Sequence, residues 1–307
     1  MKQILLLIMS TTFLFSNGIS GVAYFKFSDN AFSLSRTYFT YNNSISNELS
    51  FQFQTDIGQL TDSDEDPAED SRYSAYLKKA QLDWLVNSDM KISMGLIGMN
   101  MFNIQEKTWG NRFISKSAMD KNKYSSSADL GLGISKDFGQ LFVNFLMTNG
   151  EGYKQSSVDE NSKVSLQLLY GEKRLDKNNG HNLGMVYSSL SDDYDIDTVV
   201  MGFFGGWSGN SMTLGAEYNT KEVESMSSSI PFESSIYSLY ANYSINDNSS
   251  VFFRVDENDP DSNNSDDEIK TTWLGINWTP AEGLIVCPNV MTTDDIDNFA
   301  VNFQFKF

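Results

Sequence analysis

The stretch at residues 102–124, FNIQEKTWGNRFISKSAMDKNKY, is charged unlike the rest of the chain. Lys107, Arg112, Lys116, Lys121 and Lys123 are set there against Glu106 and Asp120, a local charge of +3 in a chain of formal charge −18. Cations beside a narrow aqueous path raise the local anion concentration and tune which charge passes. A basic loop lying in solvent has the same composition, so the stretch alone leaves both readings open. Other residues able to do chemistry are few. The single histidine, His181, stands at a strand start beside a turn and reads as a solvated turn residue rather than a general base. No G-x-S-x-G occurs, and Gly205-Gly206-Trp207-Ser208-Gly209 reads as a turn, not a nucleophile elbow. Gly131-x-Gly133 lacks the third glycine and following helix of a dinucleotide site. The sequence Asp259-x-Asp261-x-Asn263 begins like a calcium loop, but has Asn264 where glycine is needed and Lys270 where a bidentate glutamate is needed. The one cysteine, Cys287, lies beside Pro288, whose missing N–H suggests a bulge. No catalytic residue, metal site or cofactor follows.

The elements that must position the basic stretch are strands. Apolar residues recur at every second position nearly everywhere, and helical spacing is almost absent. Leu130, Leu132 and Ile134 alternate with Gly131, Gly133 and Ser135; Val164, Leu166, Leu168 and Tyr170 alternate with Ser165 and Gln167. We expect an all-β chain of about sixteen strands (fourteen if a weak hairpin is a loop), near residues 21–28, 31–42, 47–58, 73–87, 89–101, 125–136, 140–150, 162–172, 181–190, 196–207, 210–221, 233–245, 249–257, 269–279, 283–293 and 296–307. The connections tend to alternate in length. Asn87-Ser88-Asp89, Asp137-Phe138-Gly139 and Asn246-Asp247-Asn248 are brief, whereas 59–72, 102–124, 151–161, 222–232 and 258–268 are long. A transmembrane barrel has that asymmetry, short turns at one end and longer loops at the other. A soluble sandwich has no physical reason for it.

Face polarity agrees. Residues expected to point inward, including Arg36, Lys79, Asp83, Lys91, Glu217 and Arg254, are too polar to pack as a core. A sixteen-stranded lumen is in any case too wide to be filled by side chains. Trp84, Trp207 and Trp278 fall on the apolar parity at the short-turn ends of their strands, where amphipathic rings prefer a membrane interface. The chain begins with Met1-Lys2, an apolar run from Ile4 to Met9 broken by Ser10-Thr11-Thr12, and small residues near 16–21; this reads as a secretory leader over 1–20, with the barrel over 21–307. The net charge argues against nucleic acid. Acidic residues gather at Asp62–Asp70, Asp192–Asp197, Asp256–Glu268 and Asp294–Asp297, all expected in solvated outer loops, where divalent ions could bridge them to lipopolysaccharide.

The chain ends on NFAVNFQFKF, with Phe299, Val301, Phe303, Phe305 and Phe307 on one parity. A final strand of this kind closing on Phe resembles the insertion signal of bacterial outer-membrane barrels. Phe32 to Asp56, FSLSRTYFTYNNSISNELSFQFQTD, is similar to the opening hairpin of the general and phosphate-selective porins of Gram-negative bacteria. The resemblance implies an outer-membrane porin passing small hydrophilic solutes or ions, a homotrimer, and a third loop, 102–124, folded into the lumen as a constriction. The few strand-borne cations, offset by Asp83 and Glu217, depart from the many lumenal cations of phosphate-selective members. Two rivals remain: a plugged barrel whose acidic outer loops bind a surface partner, and a secreted, lectin-like β-sandwich.

Overall fold

The structure is a computed structural model describing residues 18–59, 73–155, 161–191, 196–225, 231–264 and 266–307. Most of the expected leader, the acidic cluster at 62–70, and Asp192, Asp193 and Asp195 lie outside the described residues. Sixteen strands form, not fourteen: β1 Ile19–Ser28, β2 Ala31–Ser44, β3 Leu49–Gln59, β4 Tyr73–Leu85, β5 Met90–Gly98, β6 Ala128–Phe138, β7 Leu141–Thr148, β8 Lys163–Gly171, β9 Gly180–Ser191, β10 Ile196–Gly209, β11 Met212–Ser225, β12 Phe232–Asn246, β13 Ser249–Asp259, β14 Ile269–Ala281, β15 Leu284–Thr293 and β16 Ile296–Lys306. Each pairs antiparallel with its sequence neighbours, and β16 returns to β1 to close the barrel. Closure satisfies the backbone of both edge strands. The last residue takes part: Phe307 and Gly21 exchange backbone hydrogen bonds at 2.9 and 3.1 Å.

The alternation has the expected sense. On β12, Ser234, Ile236, Ser238 and Tyr240 are buried, while Tyr237, Leu239 and Tyr243 are exposed. Trp84, Trp207 and Trp278 are exposed at the short-turn ends of their strands, and so is Phe305. Phe299 and Phe307 are also exposed, and Val301 and Phe303 are half-buried on the same parity of β16. Tight hairpins carry left-handed residues where the chain reverses in two positions, at Asp29-Asn30, Asn210-Ser211 and Asp294-Asp295.

Two expectations need correction. Pro288 makes no bulge: the β14–β15 register is the same at Gly275↔Asn289 and at Trp278↔Val286, and the ladder is only interrupted between them, where Pro288 has no N–H to give. Asp256 is not in an outer loop: β13 extends to Asp259, so Asp256 is a buried inward residue.

The interior is not uniformly polar either. Leu169, Val186, Val200, Phe204, Ile236, Phe252, Trp273 and Cys287 are all buried on the inner wall. They cannot face a wet lumen without cost, since each buried apolar side chain is worth roughly 1.5–3 kcal/mol over an exposed one. What covers them is the β5–β6 connection.

Candidate functional site: a loop-lined aperture inside the barrel

The connection between β5 and β6 folds into the lumen. It carries two short helices, α1 Asn103–Trp109 and α2 Ala118–Lys121. Helix α1 ends at Gly110, which takes the left-handed conformation of a helix C-cap at φ 73°. Met101, Phe102, Ile104, Ala118, Met119 and Tyr124 pack against Leu169, Val186, Val200, Phe204 and Ile236. Trp109 and Phe113 pack against Tyr240, Phe252, Trp273 and Cys287. Three wall aromatics lie flat over glycines of the paired strand, Phe204 over Gly184, Tyr240 over Gly215 and Phe252 over Gly275, where a Cβ would fall 2.1–2.6 Å from the ring. Such close approach requires glycine and leaves a smooth bed for the loop.

Polar contacts fix the loop's register on that bed. Gln167 donates to Asn100 O at 2.6 Å, Tyr240 to Gln105 O at 3.2 Å, Asn242 to Trp109 O at 3.1 Å, and Asn302 to Phe113 O at 3.0 Å. Arg254 forms the most enclosed anchor. Its guanidinium makes two hydrogen bonds to Asp256 at 2.8 and 2.7 Å and one to Lys116 O at 2.7 Å, and lies 5.0 Å from the ring centres of both Trp109 and Trp273.

The loop thus covers the wall from β8 to β16 and leaves an aperture along β1–β7. This aperture encloses about 410 Å³. From the wall come Tyr24, Tyr38, Lys78, Lys79 and Lys91; from the loop come Asn103, Glu106, Lys107 and Arg112. Arg112 reaches across it: bonded to Glu106 and, at 2.6 Å, to Asp120, it also donates to Tyr38 Oη at 3.3 Å. That hydroxyl receives Lys78 at 3.2 Å and Arg36 at 3.3 Å as well. Arg36 pairs with Asp56 at 3.0 Å, and Tyr153 donates to the same carboxylate at 2.6 Å. Lys91 pairs with Asp83 at 3.1 Å. Lys79 stands in the field of Lys78, Lys107 and Lys91. Burial, reinforced by Arg174, pushes the Lys107 ammonium below the usual lysine range.

The residues singled out in the sequence therefore do not share one volume. Glu106, Lys107 and Arg112 line the aperture together with Lys79 and Lys91. Lys116, Lys123 and Arg36 line a second cavity beyond it, toward the long connections. Glu217 and Arg254 do not face open lumen, being buried beneath the loop, whereas Lys121 is exposed and lies over the Trp273 ring at 4.4 Å, away from the aperture lining. Asp83 lies below the aperture, near Asn42 and Gln52. His181 is exposed at the start of β9, away from the aperture.

Lys78 escaped strict alternation, because its neighbour Lys79 already points inward. A bulge explains it: Gln54 pairs with Lys79 and Thr55 with Leu77, so Lys78 is the extra residue and both lysines turn to the lumen. The loop's bed left a sequence signal that alternation overlooked. In Leu168-Leu169, Val199-Val200, Phe203-Phe204 and Phe252-Phe253 both parities are apolar, which implies a strand covered on both faces.

The electrostatics of the loop make a pH prediction. Burial would raise the Asp120 carboxyl, but Arg112 and Lys116 outweigh it and hold it below the usual carboxylate range. A carboxyl depressed in the folded state contributes stability above its unfolded value near 4 and loses it as pH falls through the folded value. Loop position is therefore expected to be constant from about pH 8 to about pH 5 and to loosen only below about pH 4. Intrinsic tryptophan fluorescence, dominated in its buried part by Trp109 and Trp273, should follow that course; a transition near pH 6 would show that another group governs the loop.

The chain is thus a closed barrel of sixteen antiparallel strands, with the third connection on its long-loop side laid inside. The fold is that of the porins. The outer-membrane OmpT of Vibrio cholerae superposes with a TM-score of 0.65 at 11% identity, covering 94% of this chain and 97% of that one. Salmonella typhi OmpF, solved with daunomycin, gives 0.67 at 12% identity over 94% and 97%. The anion-selective porin of Comamonas acidovorans gives 0.64 at 10% over 94% and 97%. No protein-family model and no curated protein matches the sequence.

Proposed function

We propose that the chain is an outer-membrane porin through which small hydrophilic solutes diffuse passively, with a preference for anions. The exposed apolar parity of the strands and the aromatic rings at the short-turn rim support a bilayer setting. Strands with an apolar exterior and a partly polar, hollow interior fit neither a soluble sandwich nor an enzyme built on one histidine. The observation that carries the anion preference is the placement of Lys78, Lys79 and Lys107 around one aperture, where Lys91 is balanced by Asp83 and the lining carboxylate, Glu106, is already engaged by Arg112. Water-excluding walls strengthen such a field. The Comamonas acidovorans protein of the same fold is described as an anion-selective porin, and OmpT of Vibrio cholerae is described in a trimer form; both descriptions support the corresponding readings here.

The test is single-channel recording of purified protein in a planar bilayer under a salt gradient. Stepwise conductance with a reversal potential of the anion-preferring sign is the expected result. Conductance with cation preference would remove the role given to the lysines, and no conductance from folded barrel would favour a plugged barrel that serves surface binding instead.

A further inference from the structure

Beyond the aperture, on the side of the long connections, lies the second cavity, of about 360 Å³. Six cations from five parts of the chain reach it: Arg36, Lys116, Lys123, Lys154, Lys163 and Lys221. Two carboxylates, Asp120 and Glu151, share it, so the lining carries +4 in a protein of −18. Asp120 is occupied by Arg112 at 2.6 Å and Lys116 at 3.3 Å. Lys163 is 7% exposed and lines the cavity. Its ammonium donates to Ser125 Oγ at 3.3 Å, and among the described residues no carboxylate forms an ion pair with it. Asp129, whose field it feels, is spent accepting backbone N–H bonds from Leu130, Gly150 and Gly152. A second group in the wall is also unsatisfied: Ser126 Oγ is buried with no hydrogen-bond partner. A buried ammonium without a counter-charge costs free energy, as does a buried hydroxyl without a partner. An incoming oxyanion satisfies both.

We infer that this cavity is a capture site for a compact polyvalent oxyanion of the diphosphate class, held by Lys163, Lys221 and Lys123 with the Ser126 hydroxyl, while the Ser125 hydroxyl, which accepts from Lys163 and donates to Ser126 O at 3.3 Å, positions that ammonium. The inference rests on the channel reading, because it places the site on the route into the aperture: Arg36 and Asp120 border this cavity while their partners Tyr38 and Arg112 border the aperture. An anion released here meets Lys78 and Lys79 next.

Calorimetric titration of inorganic pyrophosphate into the folded barrel in detergent tests it without requiring conduction. One site per chain is expected at low ionic strength, weakened about tenfold or more by the double variant Lys163→Gln with Lys221→Gln, and unaltered by Lys306→Gln at the far rim. Heat-modified gel mobility checks that the double variant is folded; if it is not, Lys123→Gln alone, on the loop, should still weaken binding several-fold. Equal affinity in folded variants and wild type, or the same loss in Lys306→Gln, would overturn the site. In bilayers, pyrophosphate should block current from the long-connection side at lower concentration than from the other. Binding without any conductance would leave the site and remove the channel; conductance without pyrophosphate binding would do the reverse.

Discussion

Replacing Arg254 with alanine is expected to free the loop and enlarge the pore. The side chain is wholly buried, as is Asp256, and the pair is held by two hydrogen bonds. Removing one partner of a buried pair typically costs about 3–5 kcal/mol, because the other charge is left uncompensated. Here the loss falls on the loop rather than the strands. Arg254 is also the donor to Lys116 O and the filling between Trp109 and Trp273, whereas the barrel's ladders do not depend on it. Single-channel conductance should rise several-fold, and liposomes should swell with sugars that wild type excludes. Arg254→Lys should fall between, since an ammonium keeps the charge but loses the fork and the stacking. Wild-type exclusion in a folded Arg254→Ala variant would show that the apolar bed alone holds the loop.

Reversing charge at the aperture should invert ion preference. Lys79 comes from the wall and Lys107 from the loop, and both line the same space as Lys78. The double variant Lys79→Glu with Lys107→Glu changes the local charge by four units. At physiological salt the screening length is about 8 Å, comparable with a constricted pore, so the permeating ion feels nearly all of that change. The reversal potential under a salt gradient is expected to change sign, and the effect should shrink at about 1 M salt, where screening shortens to about 3 Å. A preference that stays anionic would mean that selection occurs elsewhere, with the outer cavity of Lys163 and Lys221 the first place to look. Glu217→Gln, buried beneath the loop and bonded to Asn219, should leave the sign unchanged and so serves as the comparison.

The sequence by itself determined the sixteen strands, the neighbour-to-neighbour order, the closure through the final Phe-rich strand, and the end of the barrel that carries the long connections. Period-two alternation and turn residues are local signals, and a barrel in which each strand pairs with its sequence neighbours is the topology they encode. The basic character of 102–124 was equally legible. Where that stretch goes was decided by tertiary structure, because its destination depends on apolar residues scattered from Leu169 to Cys287 that become one surface only when the strands are paired. The same holds for Lys78, which a bulge turns inward against the parity of its neighbour, and for Arg254, which looks lumenal by parity yet is sealed under the loop. The outer cavity gathers Arg36, Lys116, Lys163 and Lys221 from separate strands and a loop. Alternation fixes which face a side chain takes; only closure and loop packing fix which faces share one small volume, and charges act through that distance rather than through their order in the chain.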